Sequence, residues 1–435
     1  MNAEKTSSTR VDTSRLLCWV FWPLAVMTFI HRVFVLPWNA RATDDFGTVI
    51  SALYKFRAHE AIYDQDYSST DPHYLYSPGA TLLLSPLSIV SNVDAARALY
   101  VFANGVAAVL AVMVLTKLFN FRWSSWVLPV GFFFLFSTES ISNTLSFGNI
   151  NGVLLLAQSL FLWLLLNNRG LLAGLVIGLA ITVKPQFLPL LFIPLMRRQF
   201  SAIAGGVVIP IILNVIAFPL TNNGGDYFDK LLPYLGGVRD FANSSIPGVG
   251  VYFGFPDWTI WLWRILAAIC VVVAVAMLLR FRDREPVMWA TTTAGVLLTG
   301  VFLISGLGQM YYSMLLLPMI FTVLCSRSIM HSPMAWLGVY FFFSLDTWSS
   351  DRWVNYGRVA EYTRGTIGWS LLIFTAAVVS VLWFIEDRRR NVHPLGDLHT
   401  NGLFYRDKSP RTSVKKHNRI ATGSVKKEAE EKTHG

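Results

Sequence analysis

Apolar runs of roughly twenty residues, enough to cross ~30 Å of hydrocarbon, recur along most of the chain between short polar joints. Segments 16–36, 93–118, 124–142, 150–167, 171–183, 186–196, 200–219, 258–280, 287–305, 311–326, 332–347 and 366–385 are the candidate spans. Two of them, 171–183 and 186–196, are too short to cross alone. They meet at "TVKPQ", where Pro185 interrupts the helix and Lys184 brings a charge to depth. That pattern predicts a tight helical hairpin or two shortened spans lining a cavity, since broken backbone at membrane depth survives where protein or water covers it. Segment 79–92, "GATLLLSPLSIVSN", is apolar but short and contains Pro86; it reads as an interfacial or re-entrant helix.

A different period appears over 44–63. Phe46, Val49, Ile50, Leu53, Tyr54 and Phe56 fall at roughly helical spacing, with Lys55, Arg57, His59 and Glu60 between them. This predicts an amphipathic helix lying on the membrane surface. Short basic joints set the orientation. Arg10, Arg15, Lys117, Arg122, Arg169, Arg197, Arg198, "RFRDRE" at 280–285, Arg327 and the C-terminal tail share one side if about twelve spans alternate. That side is expected to be cytoplasmic, with both termini on it, and loops 37–92, 220–257 and 348–365 lie opposite. A span at 79–92 would break this pattern.

Composition agrees. The 435 residues are 54% hydrophobic and only 14% charged, against roughly 25% in an ordinary soluble chain, and the mean hydropathy is +0.48. The expected class is an all-α polytopic membrane protein. The net charge of +10 does not indicate nucleic acid, because many basic residues gather in 386–435, read as a disordered cytoplasmic tail beside anionic lipid. Cys18, Cys270 and Cys325 sit in or beside apolar runs without metal-type spacing, so neither a disulfide framework nor a zinc site is expected. The N-terminus lacks a small-residue cleavage site before its apolar run and reads as a retained first span. Asn243 and Ser244 spell a glycosylation-type sequon, read as coincidence.

The order of several segments carries a resemblance. "TDDF", "DPHYLY", "NTLSFGNING", "GLLAGLVIGLAITVKPQFLPLLFIPLMRRQF", "RDFANSSIPGVGVYFGFPDW", "GQMYYSMLLLP" and "AWLGVYFFFSLDTW" together resemble the GT-C superfamily of membrane glycosyltransferases, and within it family 87, over about residues 20–385. The resemblance implies a GT-C catalytic domain over 1–385 with about twelve transmembrane helices and an extracytoplasmic amphipathic helix in the first loop. Many mannosyl-transferring members carry a His-His pair where Tyr311 and Tyr312 stand here. The departure favours the arabinosyl branch. The implied reaction moves arabinofuranose from decaprenylphosphoryl-arabinofuranose to cell-wall arabinan, forming α-(1→3) branches on the outer face of the plasma membrane. A polyprenyl-phosphate-mannose-dependent α-mannosyltransferase is the second enzyme reading, and a lipid-linked sugar transporter or flippase is the non-enzyme one.

Such a transfer needs a base for the acceptor hydroxyl and a cation for the leaving phosphate. Asp44 and Asp45 suit the base, with Asp44 favoured by analogy with the family and Asp45 beside it to orient the base or bind the acceptor, although both also suit a helix cap. Lys184, Arg239 and His73 are the candidate phosphate ligands. A lysine in an apolar hairpin is costly unless it meets an anion, but snorkelling is the plain alternative, and Asp240 is a ready partner for Arg239. Tyr74, Tyr76, Glu139, Asn149, Asn151, Gln309, Tyr311 and Tyr312 are candidates for sugar or acceptor contacts. Belt anchoring, helix capping and aromatic packing are their structural alternatives. Glu139 is also a possible partner for Lys184. No resident cofactor is implied; a divalent metal held by the paired carboxylates and phosphate stays open.

Overall fold

The computed structural model describes residues 12–39, 45–68, 72–390 and 393. These fold into helices and turns, with no strand among the described residues. The order is α1 (Thr13–Ile30), α2 (Asp45–Arg57), α3 (Pro78–Leu84), α4 (Val93–Leu118), α5 (Val127–Ser137), α6 (Glu139–Ser146), α7 (Asn151–Leu166), α8 (Gly170–Val183) and α9 (Phe192–Met196). There follow α10 (Phe200–Ala217), α11 (Leu232–Gly236), α12 (Ile246–Tyr252), α13 (Asp257–Leu278), α14 (Pro286–Ile304), α15 (Leu317–Ile320), α16 (Pro333–Phe343) and α17 (Val354–Arg389). The segments Thr13–Trp38, Val93–Leu118, Phe200–Leu220, Asp257–Phe281, Pro286–Ile304 and Val354–Arg389 are long and apolar enough to cross a membrane. The protein is an all-helical, multi-pass membrane protein.

Burial sorts the long helices. The apolar window of α14 is 78% buried, whereas those of α10 and α13 are only 11% and 17% buried. So α14 is a central post, and α10 and α13 present Val207, Ile211, Val215, Ile269 and Val272 outward, as lipid-facing helices do. The first turns of α13 expose Trp258, Trp261 and Trp263, an aromatic belt of the kind that marks a membrane–water boundary.

Different sets of helix ends meet at the two ends of the bundle. At one end Arg282 donates to the carbonyl of Met196 (3.1 Å), and Asp387 pairs with Arg280 (3.3 Å) and Arg327 (3.6 Å). Gln199 at the same end donates to the Leu165 carbonyl (2.8 Å). The starts of α2 and α7, the end of α8 and the turn before Met310 meet at the other end, as described below.

The expected span at 93–118 matches α4, which Asn92 caps by accepting from the Ala95 amide (2.9 Å), with Asp94 and Lys117 in the first and last turns. Three expectations are corrected. The 124–142 run divides at Thr138, whose hydroxyl caps α6. The last helix starts at Val354, well before residue 366. The amphipathic helix ends at Arg57, and its apolar face covers protein rather than lipid. Phe46, Val49, Ile50, Ala52 and Leu53 are all buried, Phe46 packs on Tyr100 at 5.1 Å, and its amide bonds the Phe147 carbonyl. The 79–92 piece is helical through Ile89 and is fixed to α10, where Asn214 accepts from the Gly79 amide (3.0 Å).

One crossing positions the rest. Helices α8 and α10 touch backbone to backbone: a Cβ on Gly174 would stand 2.8 Å from the Ser201 carbonyl oxygen, and one on Gly205 would stand 2.6 Å from the Gly174 carbonyl carbon. Small residues at such a crossing let two apolar helices approach closely where lipid offers no hydrophobic drive.

Candidate active site

Seven of the residues singled out from sequence converge. Asp45 opens α2, Asn149 and Asn151 bracket the start of α7, Lys184 ends α8, and Gln309, Tyr311 and Tyr312 lie in the turn and 3-10 segment after α14. The local reason is backbone interruption: Pro185 stops α8, and Ser305–Gln309 breaks away from α14. Each break leaves polar side chains at the same end of the bundle.

Asn149 links the two charges. Its Nδ2 donates to Asp45 Oδ2 (2.9 Å), and its Oδ1 accepts from Lys184 Nζ (3.2 Å). Lys184 also donates to Asn151 Oδ1 (2.7 Å), and its ammonium lies 4.5 Å from the Tyr312 ring centroid. The Tyr311 hydroxyl is within hydrogen-bond reach of Asp45 Oδ2 (3.2 Å) and of Gln309 Oε1; its single proton serves one of them. No described residue donates a hydrogen bond to Asp45 Oδ1.

The electrostatics are unbalanced on the lysine side. Lys184 is 9% exposed, and no carboxylate among the described residues forms an ion pair with it. Two amide oxygens and a ring face compensate part of the desolvation of an ammonium, which amounts to several kcal/mol. The arrangement is a buried cation held by neutral groups, with a carboxylate one bridging asparagine away. Asp44, paired with Asp45 in the sequence reading, lies outside the described residues.

The remaining candidates fall elsewhere. Tyr74 is fully buried with its hydroxyl on Thr81 (2.7 Å). Tyr76 packs edge-on against Tyr74 at 5.6 Å; burial first, then Tyr100 and after it the Asp45 charge, raises its phenol above the ordinary range. His73 and Arg239 do not join Lys184. They meet at Tyr234, which accepts from Arg239 Nε (3.0 Å) and faces His73 Nδ1 (3.4 Å).

Glu139 does not partner Lys184 either. Its Oε1 accepts from Arg364 Nη2 (2.9 Å) and Asn143 Nδ2 (3.0 Å). Arg364 also reaches Asp346 (2.9 Å) and the carbonyls of Ser344 and Leu345 (3.1 Å to the latter). At 4% and 2% exposed, the pair locks α6 to α17. Helix α6 in turn supports the site, since Ser140 donates to the Met310 carbonyl (3.3 Å). Arg364→Met leaves a buried carboxylate unpaired and is expected to cost about 3–5 kcal/mol. The double variant with Glu139→Leu recovers most of that loss, read as melting temperature in detergent micelles.

Arg364 is absent from the sequence candidates because "VNYGRVAEYTRG" carries no span signal and reads as part of the 348–365 loop. Asn243, set aside as a chance sequon, is 4% exposed. It staples the loop after α11 to the turn after α14, accepting from the Ser245 and Gly308 amides (3.0 and 2.9 Å) and donating to the Gly306 carbonyl (2.8 Å). An asparagine among small residues between helices was the available signal.

A family model described as Glycosyltransferase family 87 matches residues 74–306. A Corynebacterium glutamicum protein named alpha-(1->3)-arabinofuranosyltransferase is 47% identical over 382 residues, covering 88% of this chain and 91% of its own. Proteins of the same name from Mycobacterium tuberculosis and Mycolicibacterium smegmatis are 41% and 40% identical, covering 87% and 88% of this chain and 88% and 90% of theirs.

Proposed function

The chain belongs to glycosyltransferase family 87, and from that premise we propose that it transfers arabinofuranose from a polyprenyl-phosphate donor, decaprenylphosphoryl-arabinofuranose, to cell-wall arabinan, forming α-(1→3) branches. That it is a membrane glycosyltransferase follows from the family. The donor and the branch position are inferred from the relatives' name and from site chemistry. The observation that carries the reading is the bridge Asp45–Asn149–Lys184: a carboxylate with one oxygen held, beside a buried cation that forms no ion pair among the described residues.

In the proposed step the acceptor 3-hydroxyl oxygen attacks the anomeric carbon of the donor. The bond from that carbon to the phosphate oxygen breaks, and its electron pair leaves with the lipid phosphate. The hydroxyl proton passes to Asp45, whose Oδ2 is oriented by Asn149 and Tyr311. Negative charge grows on the departing phosphate, and Lys184 lies ready to receive it. The lysine supplies the counter-charge that a divalent ion would otherwise bring. A membrane-embedded lipid donor fits a centre built at helix ends near the aromatic belt of α13. The arginine-rich end of the bundle, with Arg280, Arg282 and Arg327, reads as cytoplasmic by the positive-inside rule. On this reading the active site faces the extracytoplasmic side and the termini lie inside.

Membranes containing the protein, given labelled decaprenylphosphoryl-arabinofuranose and a linear α-(1→5) arabinan, are expected to yield 3-branched arabinose on linkage analysis, with activity retained in EDTA. Label transferred only from the corresponding mannose donor, or no branched product, overturns the reading. Loss of activity in EDTA overturns the metal-free part of it.

A further inference from the structure

His73 and Arg239 were expected at the donor phosphate, yet their surroundings suit a different ligand. The His73 ring stacks on Tyr67 with centroids 5.1 Å apart and an angle of 22°, and Tyr234 closes the cluster at 5.0 Å from His73 and 5.2 Å from Tyr67. Arg239 lies over the Tyr234 ring at 5.4 Å. A hydrogen-bond chain runs one way through the group. Arg239 donates to Tyr234, Tyr234 to His73 Nδ1, and His73 Nε2 to the Asp66 carbonyl (2.7 Å). Both imidazole nitrogens are engaged, so His73 has no donor left for a phosphate.

Charge argues the same way. Lys55 pairs with Asp64 (2.7 Å) and Lys230 with Asp226 (2.8 Å), while the exposed carboxylate of Asp66 is bonded by Ser68. Burial, followed by the Asp64 carboxylate, Tyr234 and the Asp226 carboxylate, pushes the Tyr67 phenol up to about 12. Apart from Arg239, whose guanidinium rests on Tyr234, the cations around the cluster, Lys55 and Lys230, are paired with carboxylates, unlike the buried ammonium at Lys184, which has no ion pair among the described residues. A phosphate prefers the second environment. A neutral polyol, with C–H faces to stack and hydroxyls to bond, prefers the first.

We propose that Tyr67, His73, Tyr234 and Arg239 form a binding subsite for the acceptor, a stacking platform for a neutral furanose oligosaccharide, distinct from the anion seat at Lys184. The platform is continuous with the neighbouring first-loop tyrosines, since the Tyr67 hydroxyl donates to the Tyr74 carbonyl (3.4 Å) and the Tyr74 ring packs edge-on against Tyr76 at 5.6 Å. His73 is a positioning residue that holds the two tyrosines and joins the first outer loop to the second. The assignment rests on the arabinan-transferase reading for the identity of the sugar.

The test separates binding from turnover. Protein in lipid nanodiscs is titrated with a linear α-(1→5)-linked arabinofuranose hexasaccharide by calorimetry, without donor. Tyr67→Ala and Tyr234→Ala are each expected to weaken binding about tenfold, the loss of one aromatic contact, and Tyr67→Phe to restore it. In turnover the acceptor KM rises by a similar factor while the donor KM stays within about twofold. Unchanged hexasaccharide binding in both alanine variants, a rise in donor KM instead, or no binding by the wild type overturns the proposal. Failure of the transferase reading shows itself differently, as hexasaccharide bound by the wild type with no label transferred.

Discussion

Asp45→Asn lowers kcat by about 10²- to 10⁴-fold, the range a positioned general base contributes, while the protein still inserts and folds. The substitution keeps the volume and retains an oxygen for the Asn149 amide and the Tyr311 hydroxyl, which approach Oδ2 at 2.9 and 3.2 Å. It removes the negative charge and with it the capacity to take a proton. Asp45 also stands in the first turn of α2, where its charge favours the helix by about 0.3–1 kcal/mol, so a small fall in melting temperature is expected. Asp44→Asn is the matched comparison. If Asp45→Asn keeps activity within about threefold and Asp44→Asn does not, the base is the neighbouring residue and the bridge through Asn149 has another purpose.

Lys184→Met should separate activity from stability. The change removes a buried ammonium whose partners are two asparagine oxygens and a ring face. Methionine fills similar apolar space without requiring desolvation of a charge, so melting temperature is expected to hold or rise. Turnover falls by about 10²- to 10³-fold in kcat/KM for the lipid donor, as for loss of one donor to a developing anion. A variant that is less active and at least as stable has lost a residue kept for function. A structural lysine predicts the reverse pattern, earlier melting with activity falling only in proportion to folded protein.

Much of this site was legible because polar residues in apolar runs are conspicuous. Lys184, Asn149, Asn151 and Asp45 each interrupt or border a span, and Pro185 announces the break that puts the lysine at a helix end. Their meeting could not be read from spacing. Asn149 and Asp45 are 104 positions apart, and Tyr311 and Asp45 are 266 apart, so only the order of motifs shared with a family suggested it. What failed did so for physical reasons. Arg364 was hidden because a buried ion pair 225 positions wide lets a helix dip polar residues inward where hydropathy expects a loop. Thr138 was overlooked although a threonine before Glu139 is an N-cap signal; the aromatic run ahead of it outweighed the cap. The apolar face of α2 has the same period whether lipid or protein covers it, and period alone does not say which.

The crossing of α8 on α10 divides the chain into positions free to drift and positions that are not. Helix α10 shows lipid Val207, Val208, Ile211, Ile212, Val215 and Ile216, where one apolar side chain serves as well as another, so that face can turn over in evolution almost without penalty. Its inner edge has no such latitude. Lys184 follows directly on α8, and the height of α8 against α10 is set by backbone meeting backbone at Gly174 and Gly205. A single added methyl there would force the two helices apart and shift the lysine relative to Asn149 without touching any residue of the candidate site. Two residues with no side chain therefore act as the gauge block of that site.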